Sequence, residues 1–111
     1  MSTPRRGLTF DLLQYQRRQL IISLMRFYVF CRNEGRIASI ETVREWMIKS
    51  APLIDRFLFV QDEIKYYLVE GSAEDQEHIS LTEDFVILYS MLMKKSQRLI
   101  DRYVIRRNSR L

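Results

Sequence analysis

Lys94, Arg98, Arg102 and Arg106 fall four residues apart, the spacing that lines up side chains along one side of a helix. Like charges so placed destabilise an isolated helix by about 0.2–0.5 kcal/mol per pair. An anionic partner that offsets this repulsion is therefore the functional reading of the row; a plain solvated face is the bland one. At 1.5 Å per residue the row spans roughly 18 Å, enough to follow several phosphates or a line of carboxylates. Lys95 and Arg107 widen it, and Asp101 is the only acid nearby. The negative end of a helix dipole accounts for Arg106 and Arg107 but not for Lys94.

Other reactive side chains are sparse. His78 is the single histidine and stands beside Glu77, whereas the single cysteine, Cys31, is far away in sequence. One histidine and one cysteine make neither a nucleophile–base pair nor a metal-ligand cluster. The three glycines lie 28 and 36 residues apart and cannot form a phosphate-cradling loop. The carboxylates of the middle are too many and too evenly solvated to mark an acid–base couple. No enzyme activity, metal or cofactor is expected. Cys31 reads as a small buried hydrophobe. The aromatic residues alternate with aliphatics at helical spacing, so they read as core rather than as a base-stacking platform.

Charge is distributed unevenly along the 111 residues. Residues 1–32 carry six Arg and one Asp, a balance of +5. Residues 33–84 carry five Lys or Arg against twelve Asp or Glu, a balance of −7, and residues 85–111 return to +6. Two basic ends flank an acidic middle, which implies charged partners. A 47% hydrophobic chain with three glycines and two prolines can build a core. The apolar run from Leu20 to Phe30 is broken by Ser23 and Arg26 and is shorter than the ~20 residues of a membrane span. A lone cysteine fits a reducing compartment, so a cytoplasmic protein without a membrane segment is expected.

The elements that carry these residues follow from caps and periodicity. Residues 1–8, with Pro4, Arg5 and Arg6, read as a flexible basic arm, and 9–111 as one domain. Thr9 can cap a helix from about Phe10 to Arg32 whose apolar positions are Leu13, Leu20, Leu24, Phe27 and Cys31. Asn33-Glu34-Gly35 ends it, with the glycine expected to supply left-handed C-terminal geometry. Ser39 caps a second helix to about Lys49, buried through Ile40, Val43, Trp46 and Met47. Ser50 and Pro52 open a third to about Tyr67, with Leu53, Phe57, Val60, Ile64 and Leu68 inward. Ser80-Leu81-Thr82-Glu83 is a capping box that predicts a last helix from Leu81 to about Arg107. Phe85, Leu88, Leu92, Leu99 and Tyr103 share its main apolar face, broadened by Met91, Met93, Ile100 and Val104.

Between the third and last helices, Tyr67-Leu68-Val69-Glu70 and Glu77-His78-Ile79-Ser80 have the form of two short strands hinged at 71–76. The phrase His78-Ile79-Ser80-Leu81-Thr82-Glu83-Asp84 resembles the strand and Leu-Thr-Glu helix start of multiple-antibiotic-resistance-type (MarR) winged-helix regulators, over residues 34–90. The resemblance implies a mostly helical winged helix-turn-helix with long terminal helices, a dimer joined through them, and the Pro52 helix as recognition helix. The alternative is an all-α four-helix bundle. One departure concerns the wing tip, whose Glu74, Asp75 and Glu77 would repel a duplex.

Together these features predict a non-enzymatic regulator that binds nucleic acid as a homodimer. Arg5, Arg6, Lys49 and the row Lys94, Arg98, Arg102 and Arg106 would meet phosphates, with Arg56 and Lys65 near bases. Leu20, Leu24, Phe27, Leu88, Leu92 and Leu99 would join the two copies. The competing reading is a protein-interaction module, an inhibitor or adaptor that covers an acidic surface. The nearest such surface is the chain's own Glu70 to Asp84, six carboxylates with no Lys or Arg, within the fold or across a dimer.

Overall fold

Thr9 and Ser39 act as the local chemistry predicts. In a computed structural model describing residues 9–109, the Leu12 N–H donates to Thr9 Oγ1 at 3.1 Å and opens α1, Phe10–Asn33. The Thr42 N–H donates to Ser39 Oγ at 3.2 Å and opens α2, Ile40–Ser50. Helix α3, Leu53–Lys65, follows directly on Pro52 with no side-chain cap. Ser50, expected as that cap, is instead the buried last residue of α2. Proline has no N–H, so the first turn of α3 has one fewer donor to satisfy.

The wing is absent. Among the described residues there is no strand, and residues 77–80 lie within α4, Ala73–Ser109, a helix of 37 residues. Residues 67–70 form turns, with the Tyr67 N–H on the Ile64 carbonyl and the Leu68 N–H on that of Lys65. The winged helix-turn-helix reading is thereby overturned, and a mostly α architecture stands. The cause is a second capping arrangement eight residues before the expected one. Gly71 adopts φ 79°, and the Asp75 N–H donates to Ser72 Oγ at 3.2 Å. In return the Gly71 N–H donates to Asp75 Oδ2 at 2.9 Å.

Helix-forming Ala, Glu and Gln then carry the chain through 73–77, and Glu74 and Asp75 in the first turn suit the positive end of the dipole. The acids that made a poor wing tip make a good helix start. Ser72→Ala should therefore lower stability by about 1 kcal/mol, the usual loss for an N-cap. Ser80→Ala, at an exposed position inside α4, should change it by no more than about 0.5 kcal/mol. Urea denaturation of the two variants side by side checks this. An equal loss at both positions would place the helix start wrongly.

Four helices share one main core. Leu24, Phe27, Phe30 and Cys31 of α1 meet Val43 of α2, Leu53 and Phe57 of α3, and Phe85, Leu92 and Ile100 of α4. Phe57 stacks on Phe85 with ring centroids 3.7 Å apart, and Trp46 stacks on Phe30 at 4.9 Å. A smaller cluster of Leu13, Val60 and Ile64 closes the other end of α1 against α3. The Tyr89 hydroxyl donates to the Ala51 carbonyl at 3.1 Å and ties α4 to the turn after α2.

This packing uses the residues expected at a dimer interface. Leu24, Phe27 and Leu92 are buried within the protomer, and Leu20 and Leu88 pack against its core. Leu99 is half-buried against the α1–α2 turn. The molecule measures 68 × 26 × 20 Å because α4, roughly 55 Å long at 1.5 Å per residue, outreaches its partners. From Asp101 to Asn108 every residue is exposed.

Candidate functional site

The exposed end of α4 carries the basic row. Lys94, Arg98, Arg102 and Arg106 are all exposed, and among the described residues none has a carboxylate within ion-pair distance. Pairing with the chain's own acidic segment within the fold is ruled out by α4 itself. Asp84, the nearest acid of that segment, and Lys94 stand ten residues apart on one helix, roughly 15 Å along its axis.

Two clefts run along the row. One, of about 390 Å³, is lined by Tyr28, Leu88, Met91, Leu92 and Leu99 together with Lys94, Lys95, Arg98, Arg102 and Arg36. The next, of about 470 Å³, is bordered by Arg36, Arg102, Arg106, Tyr103, Ser39 and Ile40. Among the described residues, six cations and no carboxylate line the pair. The second cleft also passes Ser39 at the start of α2, where the helix dipole is positive.

Arg36 is the member that sequence reasoning did not single out. It follows Gly35, which packs close against both α1 and Leu99 of α4. That glycine does not take the left-handed conformation expected at the end of α1; among the described residues Gly71 is the positive-φ glycine. A Cβ at Gly35 would stand 2.8 Å from the Cys31 carbonyl oxygen and 3.3 Å from Leu99 Cδ1. The only trace of this in the sequence is the glycine.

The other expected nucleic-acid residues are scattered. Lys49 lies with its Nζ 5.3 Å from the Trp46 ring centroid, held there by cation–π attraction. Arg56 borders a separate apolar cleft between α1 and α3 with Tyr15, Leu20 and Phe59. Lys65 ends α3 near His78, twenty residues or roughly 30 Å along α4 from Arg98. The structure thus does not gather Arg56 and Lys65 with the row. Arg5 and Arg6 lie outside the described residues.

The titratable side chains inside the fold are quiet chemically. Burial pushes the Cys31 thiol up, outweighing the Ser96 hydroxyl 3.6 Å from its Sγ, so the thiol stays neutral. Burial, then the Arg17 charge, holds the His78 imidazole below its usual value, against a smaller upward pull from Asp75. Among the described residues no group of three His, Cys, Asp or Glu is placed to hold a metal ion, and no helix is long and apolar enough to cross a membrane.

Fold and site together define an all-helical protein, over its described residues, with a cation-lined cleft beside a projecting helix. Neither a protein-family model, nor a curated protein, nor a solved structure matches the chain.

Proposed function

We propose that this is a non-enzymatic regulatory protein of the cytoplasm that binds nucleic acid through the backbone phosphates, using the α4 cleft. The observation that supports this best is the set Arg36, Lys94, Lys95, Arg98, Arg102 and Arg106, gathered along two adjoining clefts without a carboxylate among them. An anion that occupied the cleft would relieve the repulsion within the row, where among the described residues Asp101 is the only acid close in sequence and none of the four cations is ion-paired. Base reading by α3 has no support in the placement of Arg56 and Lys65, so the contact is to the backbone and independent of sequence.

Each phosphate contact releases counterions, so affinity should fall with a log–log salt slope near −0.9 per contact on duplex DNA. Replacing Arg98 and Arg102 with glutamine should flatten that slope by about 1.8 units. The helix should persist, because both positions are exposed and glutamine is a good helix former. Fluorescence anisotropy across a salt series reads the slope; a slope indifferent to the double change would end the nucleic-acid reading. One observation favours a second reading: the apolar lining of Tyr28, Leu88, Met91, Leu92 and Leu99 suits an acidic amphipathic helix of a partner protein, apolar face inward. In that case duplex binding is weak from the start, and an acidic helical peptide binds with an affinity that Arg98 and Arg102 control.

The same reading includes a homodimer. Helix α1 turns Ile22, Met25 and Val29 outward at three- and four-residue spacing, 37–50% exposed. That supports a second copy packing there, related by a two-fold axis and presenting two clefts to one polyanion. Sedimentation velocity at micromolar concentration should give twice the 13.5 kDa of the chain, and Met25→Glu should restore the single mass. A wild-type protein that sediments as one chain would remove the dimer.

A further inference from the structure

At the opposite end of α4 lies another cleft with a different chemistry. Gln61 of α3 is buried and joins three helices. Its Nε2 donates to Thr82 Oγ1 at 2.8 Å and to the His78 carbonyl at 3.3 Å, both on α4. Its Oε1 accepts from Arg17 Nη1 of α1 at 3.2 Å. That bond uses one donor of the guanidinium, and among the described residues Arg17 has no carboxylate within ion-pair distance. Arg17 is half-buried, so its charge is partly stripped of water with no directly bonded counter-ion among the described residues. Beside it His78 is 7% exposed, and its Nδ1 is buried without a hydrogen-bond partner.

These two polar groups line a cleft of about 460 Å³, within the size range of small-molecule sites. Part of its lining is apolar: Phe10 stacks on Tyr67 with centroids 5.3 Å apart, beside Leu68 and Leu81, while Gln14 and Ser72 add polar groups. Glu74 and Glu77 stand at the rim. The half-buried cation beside this apolar part of the lining fits one negative charge on an apolar body. Two carboxylates at the rim repel anything more highly charged.

We propose that this cleft binds a small organic monocarboxylate with a flat apolar body, its carboxylate held by Arg17. The planar fork of the guanidinium matches a carboxylate with two parallel hydrogen bonds, and the body lies against Phe10, Tyr67, Leu68 and Leu81. The site is independent of the basic row, and its ligand is of another class.

Phenylacetate is the probe, with phenylacetamide as its neutral counterpart and inorganic phosphate as a small anion without the apolar body. Heteronuclear NMR titration of the full chain should show saturable shifts at His78 and Leu81 with phenylacetate. Phenylacetamide should bind at least about tenfold more weakly, the loss of one charge-assisted pair. Phosphate should leave those signals unmoved. Arg17→Gln should weaken phenylacetate by a similar factor, and Arg17→Lys, which keeps the charge but not the fork, should fall between. The two variants together guard against a mere loss of structure, which the dispersion of the same spectra reports. Binding indifferent to Arg17, equal affinity for acid and amide, or no saturation by about 10 mM would each overturn the proposal. Salt-dependent duplex binding should be unchanged in Arg17→Gln, so failure here and failure of the basic cleft are read separately.

Discussion

Phe57→Ala should lower the free energy of unfolding by about 3–5 kcal/mol, the range for removing a buried aromatic ring. Phe57 is fully buried and stacks on Phe85, so it joins α3 to α4 at the centre of the main core. The loss combines the transfer of the ring from water with a cavity that four crossing helices cannot close. Single domains of this size hold about 5–15 kcal/mol in all, so the variant should sit near the edge of folding. Urea denaturation followed by far-ultraviolet circular dichroism measures it. Phe57→Leu, which refills much of the volume, should lose clearly less. A change below about 1 kcal/mol in Phe57→Ala would mean that the core does not close around this ring.

Gly35→Ala should destabilise by about 1–3 kcal/mol through overpacking. The added Cβ would meet the Cys31 carbonyl oxygen at 2.8 Å and Cys31 Cα at 3.3 Å, both backbone atoms that cannot swing aside. Leu99 Cδ1, at 3.3 Å, belongs to α4 and lies between Arg98 and Arg102 in sequence. Relief therefore requires the α1–α2 turn to shift away from the end of α1, and Arg36, the next residue, shifts with it. The expected signature is a lower melting temperature together with weaker polyanion binding, while Lys94, Arg98, Arg102 and Arg106 keep most of the salt slope. A fully stable Gly35→Ala protein would show that the turn does not depend on close contact there.

Much of the helix pattern was legible because its causes are local. Thr9 and Ser39 donate nothing to distant residues; each accepts a backbone N–H three residues ahead, so each start is written within four positions. Leu13, Leu24, Phe27 and Cys31 face inward at the period that a helix imposes, as do Leu53, Phe57, Val60 and Ile64. The row of Lys94, Arg98, Arg102 and Arg106 was equally plain, since its geometry needs only that α4 be helical.

The start of α4 was not decided in this way. Ser72 with Asp75 and Ser80 with Glu83 are both competent caps, eight residues apart. A helix begun at Ser72 brings His78 and Thr82 onto Gln61 of α3, a contact no local signal announces. The fate of the apolar surplus was likewise open. Leu24, Phe27 and Leu92 lie inside one chain while Ile22, Met25 and Val29 face out, and hydropathy does not tell these sets apart.

Arg36 joined the basic row, and Arg17 met His78 across sixty-one residues, only once the helices had chosen which faces to bury. The sequence by itself determined the helices with their local caps and the charged row. The tertiary structure decided which faces meet and which charges share a cleft. Hydrogen bonds and periodicity act over three or four residues, whereas burial is a competition among all the faces of the chain at once.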